Sequence, residues 1–249
     1  MDNALLAVVV LLTSTLSGVL GMGGGMILMG IFLLLVPLEW AMVLHGCTQL
    51  ASNGSRAWLH REQVRWRFLP RYFLGALFSY VVMSYLAWVP SKAVAFIALG
   101  SLPLIGRLPG LAGRRLDIAK GWIAAICGVT VFGAQVLAGA SGPALDVFFL
   151  TDRLNRYQII ATKSMTQTLS HAMKILFFAA ILADTAPDRS FSLWLIPMLM
   201  AIPPLGSYLG KQLLHRVSDS DFLLLTRHAA TAIGLTWFVR GILLMAGVF

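Results

Sequence analysis

The residues of this chain with the means to do chemistry are concentrated in two stretches, one a copy of the other. His45-Gly46-Cys47-Thr48-Gln49-Leu50-Ala51-Ser52-Asn53-Gly54-Ser55-Arg56, moved along by 118 residues, falls on Lys163-Ser164-Met165-Thr166-Gln167-Thr168-Leu169-Ser170-His171-Ala172-Met173-Lys174. Thr-Gln meets Thr-Gln, Ser52 meets Ser170, Asn53 meets His171, Arg56 meets Lys174 and His45 meets Lys163. The polar positions recur at steps of three and four, which line one face of an α-helix. His45, Gln49 and Asn53 on one stripe, and Lys163, Gln167 and His171 on the other, are mostly hydrogen-bond donors with one or two cations. Such a set suits a small oxyanion. The second copy is the one expected to carry the charge.

No Ser-His-Asp arrangement with a local signature, no phosphate-cradling Gly-x-x-x-x-Gly-Lys motif and no His-Glu-x-x-His zinc motif is present. The chain is therefore read as a non-enzyme without catalytic residue, metal or cofactor. Cys47 and Cys127 have no metal-ligand spacing and form no disulfide framework. Cys47 is read as a small packing residue, and the eleven methionines as packing and lipid-facing residues.

The elements that must hold these stripes are set by composition. Of 249 residues 58% are hydrophobic and only 12% charged, with a mean hydropathy of +0.82, whereas a soluble domain is about a quarter charged. Apolar runs cover roughly residues 4–20, 26–37, 41–59, 69–88, 93–106, 119–134, 143–151, 157–182, 192–212 and 222–248. Several reach the ~20 residues that cross a bilayer, but 26–37 and 143–151 cross only part of it. The alternation of a transmembrane β-barrel is missing, which leaves closed helical structure. The expected fold is all-α, a polytopic inner-membrane bundle of about eight to ten helices.

The net charge of +9 is no sign of nucleic acid binding, because the basic residues sit in short loops between apolar runs. Arg61, Arg65, Arg67 and Arg71 share one loop, Arg107, Arg114, Arg115 and Lys120 a second, Arg153 and Arg156 a third, and Lys211 and Arg216 a fourth. The intervening loops, from Pro37 to Trp40, Trp88 to Lys92 and Ala183 to Phe191, carry almost no basic residues. By the positive-inside rule the first set is cytoplasmic and the N-terminus outside. The N-terminal run is read as a first helix, not a signal peptide, since Asp2 stands where a basic region would be.

Along the chain the same order of parts occurs twice: a helix, a Gly-rich hairpin turn, a short helix, a polar-striped helix and further helices. The first turn is Gly21-Met22-Gly23-Gly24-Gly25, and the second runs from Gly133 to Pro143. Glycine at such density is expected to break the helix, each residue costing ~1 kcal/mol relative to alanine. The short helices 26–37 and 143–151 would then begin directly after the glycines, their N-termini and positive dipole ends facing what the turns surround. Pro143 suits a first helical turn. A helix from Ala93 is expected to end near Pro103, and Pro197, Pro203 and Pro204 to kink the helix of 192–214. The organisation is thus a first repeat 1–110, a basic cytoplasmic linker 111–118 and a second repeat 119–249, the two inverted. Inverted repeats with short helices are a recurrent transporter design with the binding site at the repeat interface.

Ser17-Gly18-Val19-Leu20-Gly21-Met22-Gly23-Gly24-Gly25, the alanine-, threonine- and serine-bearing helix after it and the weaker second copy resemble the TauE/SafE sulfite and organosulfonate exporter family of bacteria and archaea. The resemblance extends thinly over nearly the whole chain. It implies export of small sulfur-containing anions such as sulfite, sulfoacetate or other sulfonates across the cytoplasmic membrane. The second turn, Ala138-Gly139-Ala140-Ser141-Gly142-Pro143, has fewer glycines than the first.

The expected function is accordingly a secondary transporter of small organosulfur anions by alternating access. The alternatives are an anion channel on the same seam, or less readily an intramembrane enzyme using Cys47 and His45. The candidate substrate-binding set is Gly23, Gly24, Gly25, His45, Thr48, Gln49, Ser52, Asn53, Ser141, Gly142, Lys163, Thr166, Gln167, Ser170 and His171. Asp146 and His171 are candidates for proton coupling, and Asp146 is alternatively the neutraliser of Lys163. Arg56 and Lys174 are read as anchors snorkelling from the helix ends. The partners expected are a small anion and the lipid bilayer, with homodimer formation left open.

Overall fold

In the computed structural model, which describes residues 3–21, 23–105, 116, 118, 121–149, 154–185 and 191–248, the chain is helical with no strand among the described residues. The helices are α1 (Asn3–Leu20), α2 (Gly23–Leu35), α3 (Leu38–Leu59), α4 (Leu69–Leu86), α5 (Lys92–Ile105), α6 (Gly121–Ala138), α7 (Gly142–Phe149), α8 (Arg156–Thr185), α9 (Leu195–Ala201), α10 (Pro203–Leu214) and α11 (Asp219–Met245). Among the described residues α1, α6, α8 and α11 are long and apolar enough to cross a membrane. The protein is a multi-pass membrane bundle. The 13 residues of α2 and the 8 of α7 extend about 20 and 12 Å at 1.5 Å per residue, well short of a hydrocarbon core of about 30 Å.

Local sequence explains most of the ends. α1 stops because Gly21 takes φ +80°, and α6 stops in the same way at Gly139, φ +73°. In each case the glycine N–H closes the last turn on a carbonyl four residues back, Ser17 in α1 and Gln135 in α6. This is the αL cap that glycine adopts without steric penalty, and the two glycines stand at the same 118-residue spacing as the polar stripes. Pro203 and Pro204 supply no N–H, so the helix of 195–214 breaks at Ile202 into α9 and α10. Ser218 caps α11, its hydroxyl accepting from the Asp221 N–H at 3.1 Å.

One expectation about a break is corrected. The glycine cluster does not unwind as a whole: Gly23, Gly24 and Gly25 are helical and buried in α2. The reason is packing, because a Cβ at Gly24 would collide with the Thr13 carbonyl of α1, so these glycines let two helices touch. Pro103 stands in the last turn of α5, whose end at Ile105 is near the expected one. Its ring lies against Gly234 of α11, where a Cβ would come within 2.7 Å of the proline Cγ. The linker 111–118 lies, apart from Leu116 and Ile118, outside the described residues.

The packing exchanges partners between the halves of the chain. α3 packs on α8 and α5 on α11; α4 packs on α6 just as α10 packs on α1. The self-corresponding pairs run antiparallel, with Gly46 against Ile175 and Gly54 against Thr168, and Gly100 against Phe238 and Gly241 against Ile97. The crossed pairs run parallel, with Gly75 against Ala125 and Gly133 against Ser79, and Gly206 against Ser14 and Gly210 against Gly18. A two-fold relation perpendicular to the helix axes produces this pattern, in which residue i meets j and j meets i.

The ends of the bundle separate by charge. Lys211 Nζ donates to the Leu59 carbonyl at 3.1 Å, the Arg65 N–H to Thr162 Oγ1 at 3.0 Å, and Arg156 pairs with Asp219 at 2.7 Å. The segment between α3 and α4, the start of α8 at Arg156 and the end of α10 thus gather at one end. At the other end the Trp40 and Phe191 rings stand edge to face, 5.1 Å apart.

Small residues set the helix spacing in the α4 and α6 pair, where a Cβ at Gly75 would strike the Ala125 carbonyl. Gly75→Val is expected to force these helices apart and lower stability by about 1–3 kcal/mol, an overpacking cost. Gly54→Ala, whose Cβ meets only a methyl at 3.9 Å, should leave the melting temperature of the detergent-solubilised protein within about 2 °C of the parent.

Candidate anion-binding site

The polar faces of α3 and α8 meet at the centre of the bundle. Each is amphipathic in the reverse sense, with its polar residues inward: His45, Thr48, Gln49, Ser52, Asn53 and Arg56 are buried on α3, and Lys163, Thr166, Gln167, Ser170, His171 and Lys174 on α8. Lipid cannot satisfy these groups, so each helix is obliged to present them to the other. A small cavity lies between them, lined by Gly21, Gly25, Met26, His45, Gln49, Asn53, Arg56, Ala140, Gly142, Gln167 and His171. Its free volume is about 10 Å³, roughly one water molecule.

Seven of the residues expected to contact substrate line this cavity: Gly25, His45, Gln49, Asn53, Gly142, Gln167 and His171. The others do not. Gly23 and Gly24 pack α2 on α1 and α11. The hydroxyls of Thr48 and Thr166 turn back on their own helix, to the Leu44 carbonyl at 2.8 Å and the Lys163 carbonyl at 2.8 Å. Ser170 Oγ lies 2.6 Å from the Tyr72 hydroxyl of α4. Ser52 and Ser141 are buried outside the cavity lining. Lys163 forms an ion pair with Asp146 of α7, which joins the two residues that the sequence left open between coupling and neutralisation.

Arg56 and Lys174 are not snorkelling anchors. They are 2% and 0% exposed, because each stands on the inward stripe, one turn beyond Asn53 and His171. The charge therefore does not belong to the second half alone. Arg56 Nη2 donates to Asn53 Oδ1, whose amide donates to the Gln49 carbonyl at 2.9 Å and to Gln49 Oε1 at 3.1 Å. Among the described residues Arg56 Nε and Nη1 have no hydrogen-bond partner. His171 Nε2 lies 3.1 Å from Gln167 Oε1, while among the described residues its Nδ1 has no hydrogen-bond partner. Gln135 of α6, which the repeat did not single out, reaches the same Nε2 at 3.4 Å.

The turns join the same network through their carbonyls. His45 Nε2 donates to the Gly25 carbonyl at 2.9 Å, and Lys174 Nζ lies 2.9 Å from His45 Nδ1 and donates to the Gly139 carbonyl at 2.8 Å. His45 therefore meets Lys174, not its own counterpart Lys163, as antiparallel packing about a two-fold requires. Cys47 is buried outside the cavity lining, and the two His45 nitrogens are taken by the Gly25 carbonyl and Lys174.

One turn of α3 beyond Arg56 a second, larger cavity of about 460 Å³ opens at the basic end, lined by Leu59, His60, Arg61, Glu62, Gln63, Tyr157, Lys211 and His215. The Tyr157 hydroxyl lies 3.0 Å from His215 Nδ1 and receives Arg156 Nη2 at 3.2 Å. Burial, then the nearby Lys211, His215 and Arg56, push the His60 imidazole down to about 4.

A family model described as sulfite exporter TauE/SafE matches residues 6–236. Comparison with curated proteins and with solved structures gave no match.

Removing one member of a buried ion pair costs about 3–5 kcal/mol, because its partner is left charged in an apolar setting. Asp146→Leu and Lys163→Met are each expected to lower the melting temperature, and the two combined to restore part of the loss, as a double-mutant cycle reads directly. His60 gives a second test. The unfolded chain takes up its proton near 6.5 and the folded chain only near 4, so in that window the unfolded state binds more protons. Stability should then fall as pH drops from 6.5 to 4, and the melting temperature of His60→Gln should fall less steeply there.

Proposed function

Because this chain belongs to the sulfite exporter TauE/SafE family, we propose that it is a secondary transporter that carries small organosulfur anions, sulfite and sulfonates such as sulfoacetate, across the cytoplasmic membrane by alternating access. The observation that carries this reading is Arg56. A guanidinium sealed in the bundle, with two nitrogens that have no hydrogen-bond partner among the described residues, is a cation that a bilayer-embedded protein tolerates only for a ligand. A small oxyanion supplies what is missing, since the planar guanidinium fork matches two oxygens of a sulfonate or sulfite. The side-chain amides of Gln49 and Gln167 are placed to take the remaining oxygen. The N-terminal turns of α2 and α7 reach the cavity at Gly25 and Gly142 and add positive dipole ends from both halves.

The halves act as an inverted pair, 1–110 against 119–249, with α3 and α8 as the seam. The basic end is the cytoplasmic one and the N-terminus is outside. The wide cavity at that end, beginning one turn from Arg56, collects anions from the cytoplasm by its positive field. A sulfonate is larger than the single water the central cavity admits, so cargo binds only when the halves move apart. That closure favours a carrier over an open anion channel on the same seam.

Arg56→Met tests the reading through two effects of opposite sign. Anion affinity, measured as sulfite- or sulfoacetate-dependent thermal stabilisation of purified protein, should weaken about 10- to 150-fold, the loss of a charge-assisted hydrogen bond of about 1.5–3 kcal/mol. The anion-free protein should melt at the parental temperature or above it, because a costly buried charge has been removed. Parental affinity in the variant, or no stabilisation of the parent by any sulfur oxyanion, would sink the assignment.

A further inference from the structure

A single hydrogen-bonded chain ties the two glycine turns together across the seam, and it does not line the anion cavity throughout. It runs from the Gly25 carbonyl to His45 Nε2, through the ring to Nδ1, on to Lys174 Nζ and so to the Gly139 carbonyl, with steps of 2.9, 2.9 and 2.8 Å. Because Nε2 must donate to a carbonyl, Nδ1 is the ring's lone-pair side. The contact between His45 Nδ1 and Lys174 Nζ therefore contains one proton with two possible owners: ammonium beside neutral imidazole, or amine beside imidazolium. Lys174 forms no ion pair with a carboxylate among the described residues.

The other titratable groups facing this contact are Cys47 of α3 and His171 of α8, whose ring lies 5.4 Å from that of His45; Arg56 stands further along the same stripe, towards His171. The flanking turns, at Gly25 of α2 and at Gly139 after α6, present carbonyl oxygens. None of these groups is an anion at neutral pH. A second buried cation in the same dry seam as Arg56 has no carboxylate paired with it among the described residues and gains a counter-charge when cargo is bound. Binding of an anion and of a proton is then mutually reinforcing, and by linkage each raises the affinity for the other by the same factor.

Resting on the transport reading above, we propose that the His45–Lys174 contact is the proton site of this protein, and that one proton is taken up with each anion and released with it. In the anion-free state the extra proton leaves Lys174 Nζ to water, leaving a neutral amine. In the loaded state it returns, and the positive charge is balanced by the anion. The neutral amine keeps two N–H groups, one for His45 Nδ1 and one for the Gly139 carbonyl, so the link between the two turns persists in weaker, uncharged hydrogen bonds. Asp146 is occupied by Lys163 and takes no part.

The experiment uses the full-length protein in proteoliposomes with an internal pH dye, the membrane potential clamped by potassium and valinomycin, and an imposed gradient of sulfoacetate, which does not itself titrate near neutrality. Parental protein is expected to move protons with the anion at a ratio near one. Lys174→Arg, a fixed cation, should carry sulfoacetate at a reduced rate with the proton-to-anion ratio at least tenfold lower, and His45→Gln, which removes the second proton owner, should also lower the ratio. Parental sulfoacetate flux without proton movement, or an unchanged ratio in Lys174→Arg, overturns the proposal and leaves the transport reading standing. Absence of any anion flux in the parent instead strikes the transport reading, and this proposal with it. The parental ratio decides the matter even where a variant fails to fold.

Discussion

Two buried basic side chains that pair with no carboxylate among the described residues, Arg56 and Lys174, are the constraint on which the rest of this bundle depends. In a medium that cannot hydrate them they require polar neighbours from more than one helix. The sequence meets that need with amides, imidazoles and main-chain carbonyls that carry no negative charge. Asn53 and Gln49 hold Arg56, while His45 and the Gly139 carbonyl hold Lys174. Asp146, a part-buried carboxylate of α7, pairs with Lys163. The seam is left positive, and that residual charge gives the site its preference for anions.

Placing those cations determines the architecture around them. α3 and α8 must lie face to face, so their apolar backs need cover from other helices, and α4, α6, α10 and α1 provide it in crossed pairs. Close approach is bought with small residues, Gly75 at Ala125 and Gly18 at Gly210, because in lipid the association of helices rests on van der Waals contact and hydrogen bonds, with little hydrophobic drive. The short α2 and α7 end inside the bundle, which brings their first turns and the carbonyls of the αL caps to the polar seam.

The same geometry separates binding from access. The central cavity is nearly closed, whereas the wide cavity beside His60, Lys211 and His215 opens at the basic end. Between them lies a single turn of α3 carrying Arg56 at one side and His60 at the other. An imidazole kept neutral by burial and by surrounding cations stands next to a guanidinium kept cationic, so the boundary between the two spaces is a step in charge as well as in width.

The sequence alone established the helical membrane class, the duplicated polar stripe and the glycine before each short helix, since composition and period are local properties of the chain. The 118-residue spacing of the stripes reappears as that of the αL glycines, Gly21 and Gly139. It also located seven of the cavity-lining residues, because an inward face on a lipid-embedded helix can only be polar for a reason. Only the tertiary structure decided which polar groups meet. Helical period puts Thr48 and Ser52 on the same stripe as Gln49, but rotamer and the reach of a short hydroxyl turn Thr48 back to its own backbone. Depth was illegible too: Arg56 and Lys174 are few residues from Asn53 and His171, yet whether such side chains rise to the interface or stay inside depends on the opposing helix. The antiparallel crossing gave His45 to Lys174 and left Lys163 to Asp146, a choice made by contacts more than a hundred residues apart in the first case and by the hairpin of α7 and α8 in the second.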